Sequence, residues 1–482
     1  MAATNAASRL GTEPVGRLLL KFSIPAITGM VVNALYNVVD RIWVGRGVDE
    51  IALGGLSLVM PLVTVSMAFA MLFGVGAANL ISMRLGQGRK AEAENALNHC
   101  FFLLIVFAIV LMVLELIFLD PILSLMGAEK GSAALGYARN YYRIILYGNP
   151  FFLVGFGLSH CTRAQGFPTI TMISMFIGAG LNMILDPIFI IVFGWGVEGA
   201  AWATIISQLV AAVWILSFSL GKKAVIHLRL HSFRPSGRIM LDIMTFGSSQ
   251  FLLQFVMSSV QLLFNMSMGW YGASVLGSGG GDIALSGLNI NMSIVMLIIM
   301  PIFGINQGAQ PILGYNYGAK QFDRVRKAFL LAIAGATVIC LLGFVLAELF
   351  PHFLIKLFAP DGSAGLLRFA PHAMRIMMIT LPLNGFTIVA TNFFVVTGRP
   401  KASIFLSMLR QFIALIPCLL IFGKIWGLWG VIAATPVADG FAFICTGIMI
   451  LMELKKLKDD HAAETGAAEP GRIGGNTGYD SL

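Results

Sequence analysis

The stretch "GLNMILDPIFIIVFGW", Gly180–Trp195, decides how this chain is to be read. It is apolar apart from Asn182 and Asp186. A charge at mid-bilayer costs at least about 2.5–3.5 kcal/mol even on the gentlest scales. Asp186 must therefore be neutralised, hidden from lipid, or used. The whole chain explains why lipid is the relevant solvent. Of its 482 residues 57% are hydrophobic and 11% charged, against about 25% charged in an average soluble domain. The mean hydropathy is +0.85. These values exclude a soluble globular protein and define a polytopic membrane protein. The net charge of +9 then belongs to cytoplasmic loops, where Lys and Arg collect, and not to a nucleic-acid surface.

Apolar runs of about 20 residues or more give twelve spans: 17–44, 52–82, 93–118, 137–162, 169–193, 199–220, 240–271, 284–314, 328–350, 373–397, 403–423 and 429–452. The N-terminus lacks a short apolar region leading to a cleavage site, so the first span is read as a retained helix. Residues 221–238 (GKKAVIHLRLHSFRPSGR) form the one substantial polar linker, and 453–482 read as a disordered tail. The five cysteines, Cys100, Cys161, Cys340, Cys418 and Cys445, form no C-x-x-C pair. They read as packing residues, without a disulfide framework or zinc site. With the N-terminus inside, twenty-one Lys and Arg plus Arg472 lie on the cytoplasmic side and nine on the other, which places both termini in the cytoplasm.

The second half of the chain repeats the first. "IALGGL" (51–56) returns as "IALSGL" (283–288), and Arg143, Pro150, Gly166 and Pro168 return 232 residues later as Arg375, Pro382, Gly398 and Pro400. Gly196, Gly199, Ala203 and Thr204 return at an offset of 231 as Gly427, Gly430, Ala434 and Thr435. A unit of six spans preserves orientation, so the halves are parallel repeats about an axis along the membrane normal. Transporters use that layout around a central cavity. The expected fold is all-α, with twelve transmembrane helices in two pseudo-symmetric six-helix lobes. Its parts are a tail (1–16), an N-lobe (17–220), the linker (221–238), a C-lobe (239–452) and the tail from 453.

Three acids lie well inside apolar spans: Asp40, Asp186 and Asp439. Asn33, Tyr36, Asn37 and Asp40 are spaced i, i+3, i+4, i+7 and share one helix face. Asn182 and Asp186, four apart, share another. At 1.5 Å per residue, Asp186 lies roughly 25 Å above the start of its span. Asp40 and Thr204 lie near the outer ends of theirs. The four side chains of Asp40, Asn182, Asp186 and Thr204 can meet, and two carboxylates in a poorly hydrated pocket cannot both ionise cheaply. The group suits a proton switch or an oxygen cage for Na⁺; the alternative is a satisfied network that fixes helix packing. Pro25 bends the helix that carries Asp40, as a hinge or as a packing kink. On span seven, Gln250, Gln254, Gln261 and Asn265 form an amide stripe that either binds substrate or joins helices. Arg410 and Asp439 lie on consecutive antiparallel spans and are expected to pair, since an isolated Arg in lipid is expensive.

Taken as a set, these residues make the chain similar to the multidrug and toxic compound extrusion (MATE) family over about 15–455. The carriers are Pro25 and Asp40, "RAQGFP" (163–168), "LNMILDPIFI" (181–190), "GVEGAAWAT" (196–204), "RQFIALIP" (410–417) and "TPVAD" (435–439). The resemblance implies a V-shaped pair of lobes that expels amphipathic cations in exchange for H⁺ or Na⁺. It implies a cation site at Asp40, Asn182, Asp186 and Thr204, with Pro25 on the bending helix. Some members place key acids on spans seven and ten, where the one acid here is Asp242 at the start of span seven. The expected partners are a drug or toxin and the lipid bilayer. No cofactor and no nucleic acid are expected, and the unit is a monomer in the cell membrane. A lipid-linked-precursor flippase of the same superfamily is the alternative, and it calls for a cavity lined with Arg and Lys. An enzyme is disfavoured: H-E-x-x-H, D-D-x-x-D and G-x-x-x-x-G-K-[ST] do not occur, and "GSGGGD" (277–282) lacks a following Lys.

Overall fold

The computed structural model describes residues 8–48, 50–125, 133–229, 233, 235–277, 279–360 and 362–464, which are almost wholly helical. The first half comprises α1 (Val15–Gly47), α2 (Glu50–Gly86), α3 (Lys90–Ile117), the short α4 (Leu119–Leu125), α5 (Ala133–Ala164), α6 (Pro168–Pro187) and α7 (Gly196–Leu220). The second comprises α8 (Gly237–Leu276), α9 (Gly280–Gly318), α10 (Phe322–Leu349), the short α11 (Pro351–Phe358), α12 (Ala364–Met378), α13 (Leu381–Val396), α14 (Pro400–Met408) and α15 (Ile416–Glu464).

Ten helical stretches are long and apolar enough to cross a bilayer, and α12 with α13 makes an eleventh, bent by 47°. One of the ten, Pro400–Lys456, has 57 residues, more than twice what a bilayer needs. It breaks at Gly427, whose φ of +60° and ψ of −138° are not helical. Split there, the count becomes the expected twelve.

Two expectations are corrected. The tenth span begins at Ala364 and not at 373, because an amphipathic helix precedes the bend at Ile379–Thr380. The chain beyond 453, read as disordered, continues as helix to Glu464; residues 465–482 lie outside the described part.

The internal repeat is also a repeat of backbone geometry. A short helix follows the third long helix of each half, and the fifth of each carries a π-helical turn, at its end in the first half (Ile188–Val192) and nearer its middle in the second (Leu409–Leu415). Gly88 has a φ of +75°, and the residue 232 places on, Lys320, has a φ of +57°. The second half thus keeps a left-handed turn residue where the first uses glycine to avoid the Cβ clash.

Packing joins the halves more closely than the boundaries at 17 and 239 suggest. Leu10, just before α1, and Val15, Leu18, Leu19 and Phe22 at its start are buried in one core with Ile302, Ile305, Phe329 and Phe393 of the second half. Arg324 and Asn316 hold this segment by donating to the Leu10 and Glu13 carbonyls over 2.6–3.0 Å. Reciprocally, Ile243 of α8 is buried in the core of α2, α3 and α5. The polar linker joins that core too: Val225, Ile226 and Leu228 are buried in it. The Val225 and Ile226 amides donate to Gln165 Oε1, and the Ser236 amide to His99 Nε2. It is a strap, not a free tether.

At the end bearing the termini, α2 meets α9 across the lobes through glycines. A Cβ on Gly86 would overlap the Tyr315 carbonyl, one on Gly318 the Met83 carbonyl, and one on Gly314 the Ser82 hydroxyl. Between them, Gln310 Nε2 donates to Asn79 Oδ1 over 2.6 Å, with both residues buried.

Candidate functional site

The far half of the first lobe brings the expected residues together. Asp186 is fully buried on α6, one residue before Pro187. Proline donates no backbone hydrogen bond, and beyond it the ladder widens to i→i+5, with the Phe193 amide donating to the Ile188 carbonyl over 2.9 Å. Such π turns collect at functional sites. Asn182, one turn earlier on the same face, donates through Nδ2 to Asp186 Oδ1 (3.2 Å) and to Thr204 Oγ1 of α7 (3.3 Å). Thr204 donates onward to the Ala200 carbonyl over 3.0 Å. Asp40 and Asp186 face each other closely enough to interact electrostatically, so α1, α6 and α7 share one polar cluster. Asn182 Oδ1 is buried with no donor among the described residues.

The sequence reading missed Tyr141 of α5. Its hydroxyl is hydrogen-bonded to Thr204, and it faces Tyr36, Asp40 and Asp186. "NYYR" (140–143) was a detectable signal, a polar-edged aromatic pair at the outer end of span four, had that span been searched for hydroxyls.

A cavity of about 160 Å³ opens beside the cluster among α1, α5, α6 and α7. Asn33, Tyr36, Asn182 and Thr204 line it on the polar side, with Ser207 and Gln208; Phe151, Phe152, Phe156 and Met175 line the rest. Aromatic faces and a thioether suit a flat organic cation. The Asn37 side chain lies outside the described residues. Gln250 and Gln254 are half-buried on α8 and do not line this cavity. The α8 amides farther along bond each other instead, Gln261 to Asn265 over 2.9 Å. Pro25 lies within α1, between its buried start and the acids at its far end.

The expected pair in the second lobe forms. Arg410 Nε donates to Asp439 Oδ1 over 2.7 Å, while Asn384 and Thr380 donate to Asp439 Oδ2 over 3.0 and 3.2 Å.

Two parallel six-span repeats, the first holding a polar pocket, fit a membrane transporter of the two-lobe class. The MatE family model matches residues 25–188 and again 251–420. The chain belongs to the MatE family of transporters. Among curated relatives, the multidrug export protein MepA of Staphylococcus aureus (strain MRSA252) is 26% identical over 450 residues, covering 93% of this chain and 96% of that protein. Among solved structures, the outward-facing conformation of a multidrug resistance MATE family transporter of the MOP superfamily superposes with a TM-score of 0.86. It is 28% identical and covers 94% of this chain and 98% of that one. A MOP superfamily transporter from Pyrococcus furiosus, described as having a binding pocket of reversed polarity that suggests a different function, is equally similar. Its TM-score is 0.86 at 28% identity, with 93% and 98% of the two chains covered.

Proposed function

We propose that the protein is a multidrug efflux antiporter of the cell membrane, exporting amphipathic organic cations in exchange for H⁺ or Na⁺. The observation that carries the reading is that Asp40 and Asp186 face each other behind an aromatic pocket, joined to its wall through Asn182, which bonds both Asp186 and the lining residue Thr204. Two facing carboxyl groups in a poorly hydrated site cannot both ionise cheaply, so loss of a proton there forces the groups apart or calls in another cation. The oxygens of Asp40, Asp186, Asn182 and Thr204 would hold Na⁺ as a hard, oxygen-lined site. Cation arrival changes the charge facing the pocket and displaces a bound organic cation.

The driving force suffices. One proton crossing 100 mV gains about 2.3 kcal/mol, and one pH unit adds about 1.4 kcal/mol. A monovalent drug cation leaving against the same potential costs what the proton gains from it, so one-for-one exchange keeps the pH contribution and sustains a drug gradient of roughly tenfold, and a second proton per cycle would raise it further. The Lys and Arg distribution supports cytoplasmic termini, so the glycine-packed end faces the cytoplasm and the pocket end the exterior. The same reading takes the functional unit as a monomer without cofactor. The described pocket lining holds no Lys or Arg, which disfavours a flippase for pyrophosphate-linked lipids.

Proteoliposome transport of ethidium, with the proton and sodium gradients imposed separately, tests the reading. Asp40→Asn and Asp186→Asn are expected to abolish gradient-driven uptake. Full exchange by both variants refutes it.

A further inference from the structure

The internal repeat assigns a place to the Arg410–Asp439 pair. Gly178 and Gln208 line the first-lobe cavity, with Phe152 beside them. At the repeat offsets, 232 up to the fifth helix and 231 beyond it, their counterparts are Arg410, Asp439 and Asn384. Each of the three bonds in the second lobe falls among these equivalents or next to them: Arg410 to Asp439, Asn384 to Asp439, and Thr380 to Asp439. Where the first lobe has a glycine without a side chain, the second has a guanidinium. Where the first has a neutral amide, the second has a carboxylate to hold that guanidinium.

We propose that Arg410 and Asp439, paired with each other, are the built-in occupants of a second substrate site, closing the second lobe to the amphipathic cations that the first-lobe pocket accepts.

The chemistry supports exclusion as well as the geometry. A cation is drawn to a carboxylate with unsatisfied oxygens. Asp439 is 3% exposed, and both its oxygens already accept hydrogen bonds, one from a positive charge. The Arg410 side chain is a quarter exposed and presents positive charge to anything approaching, which repels cations directly. In the first lobe, Asn182 Oδ1 is instead buried without a donor. Two copies of one scaffold thus carry opposite offers to the same ligand. A transporter with one open pocket exports one cation per cycle; one with two would bind two.

The inference rests on the first-lobe pocket being the substrate site, and the test separates the two ideas. Equilibrium dialysis of purified protein in nanodiscs with radiolabelled tetraphenylphosphonium counts bound cations. Wild type is expected to bind one per chain, and R410G/D439Q, which writes the first-lobe residues into the second lobe, two. The reciprocal G178R/Q208D is expected to bind none. In the first lobe, a Cβ built on Gly178 meets Ala211 Cβ at 3.6 Å, an ordinary contact, so the backbone there accepts a side chain. One cation bound by a folded R410G/D439Q, at wild-type affinity, overturns the proposal alone. Absence of binding by wild type overturns the export reading, and the proposal with it. Should R410G/D439Q not fold, G178R/Q208D decides: unchanged binding overturns the proposal, and loss of the site supports it.

Discussion

Gly318→Ala is expected to push the two lobes apart at the end that carries the termini. A Cβ built on Gly318 overlaps the Met83 carbonyl oxygen and stands 3.0 Å from its carbon and 3.1 Å from Met83 Cα. Ordinary contacts of a Cβ run from 3.4 to 4 Å, and backbone does not rotate out of the way as a side chain would. Overpacking of this kind costs about 1–3 kcal/mol. Met83 lies on α2 and Gly318 on α9, so the clash exists only where the lobes touch. The penalty therefore falls on the closed arrangement and raises the ratio of open to closed by about 5–150-fold. Spin labels at Gln87 and Gln321, both exposed at this end on opposite halves, read the change by double electron–electron resonance once Cys418 and Cys445 are replaced. The long-distance population should grow in proportion. Gly440→Ala, whose Cβ meets nothing within 4 Å, should leave the distances unchanged. If Gly318→Ala lowers thermal stability while the distances stay at their wild-type values, the contact persists in both arrangements and is no gate.

Three further outcomes follow from single positions. Lys320→Gly relieves a left-handed residue costing about 1–2 kcal/mol, offset by about 0.4–1 kcal/mol of unfolded-chain entropy; the unfolding temperature should rise, and a fall refutes the strain. Gln165→Leu strips the acceptor from two strap amides, each worth about 1–3 kcal/mol when buried unsatisfied; hydrogen exchange should quicken at 224–229 with α2–α5 unchanged, and uniform quickening would contradict a local strap. Arg410→Ala leaves Asp439 buried without its cation, costing about 3–5 kcal/mol, near the lower figure because Arg410 is partly exposed, whereas Arg410→Met with Asp439→Leu should cost much less; equal losses in thermal unfolding would mean that the charges do not depend on each other.

What was legible in the sequence shared a cause: each feature was periodic or repeated. Asn182 and Asp186 four apart on one helix bond each other as their spacing requires. The glycines matched at 231 and 232 became matched turns. Arg410 and Asp439 were paired in advance because neither can be left alone in lipid. The missed features depend on which helices touch, which no period encodes. Tyr141 looks like any span-end aromatic until α7 brings Thr204 to its hydroxyl. The strap was read by its charges, Lys222, Lys223 and Arg229, although Val225, Ile226 and Leu228 among them are the residues that bury. The glycines between α2 and α9 are scattered in sequence and acquire meaning only as facing pairs.

The course of α1 links the acids to the closed end. Its first two turns are buried in the core of the second lobe, and its far half joins Asp40 to Asp186 on α6 of the first. Rocking of one lobe against the other therefore strains this helix between two anchors. Pro25, which removes a hydrogen bond from the ladder, stands between those anchors and is where bending costs least. The equivalent helix α8 is anchored in the reverse sense, with Ile243 in the first lobe's core, but carries no proline. An equal swing thus bends α1 more readily than α8, and α1 is the one bearing an acid at its far end, since Asp242 of α8 lies at its start. On the proposed reading, a cation exchanged at Asp40 would change the hold of the far anchor, and its binding energy would reach the lobes through a helix already broken at Pro25. Pro25→Ala should accordingly slow coupled ethidium transport while leaving tetraphenylphosphonium binding intact. Equal loss of both would place Pro25 in packing and return the strain to the helix as a whole.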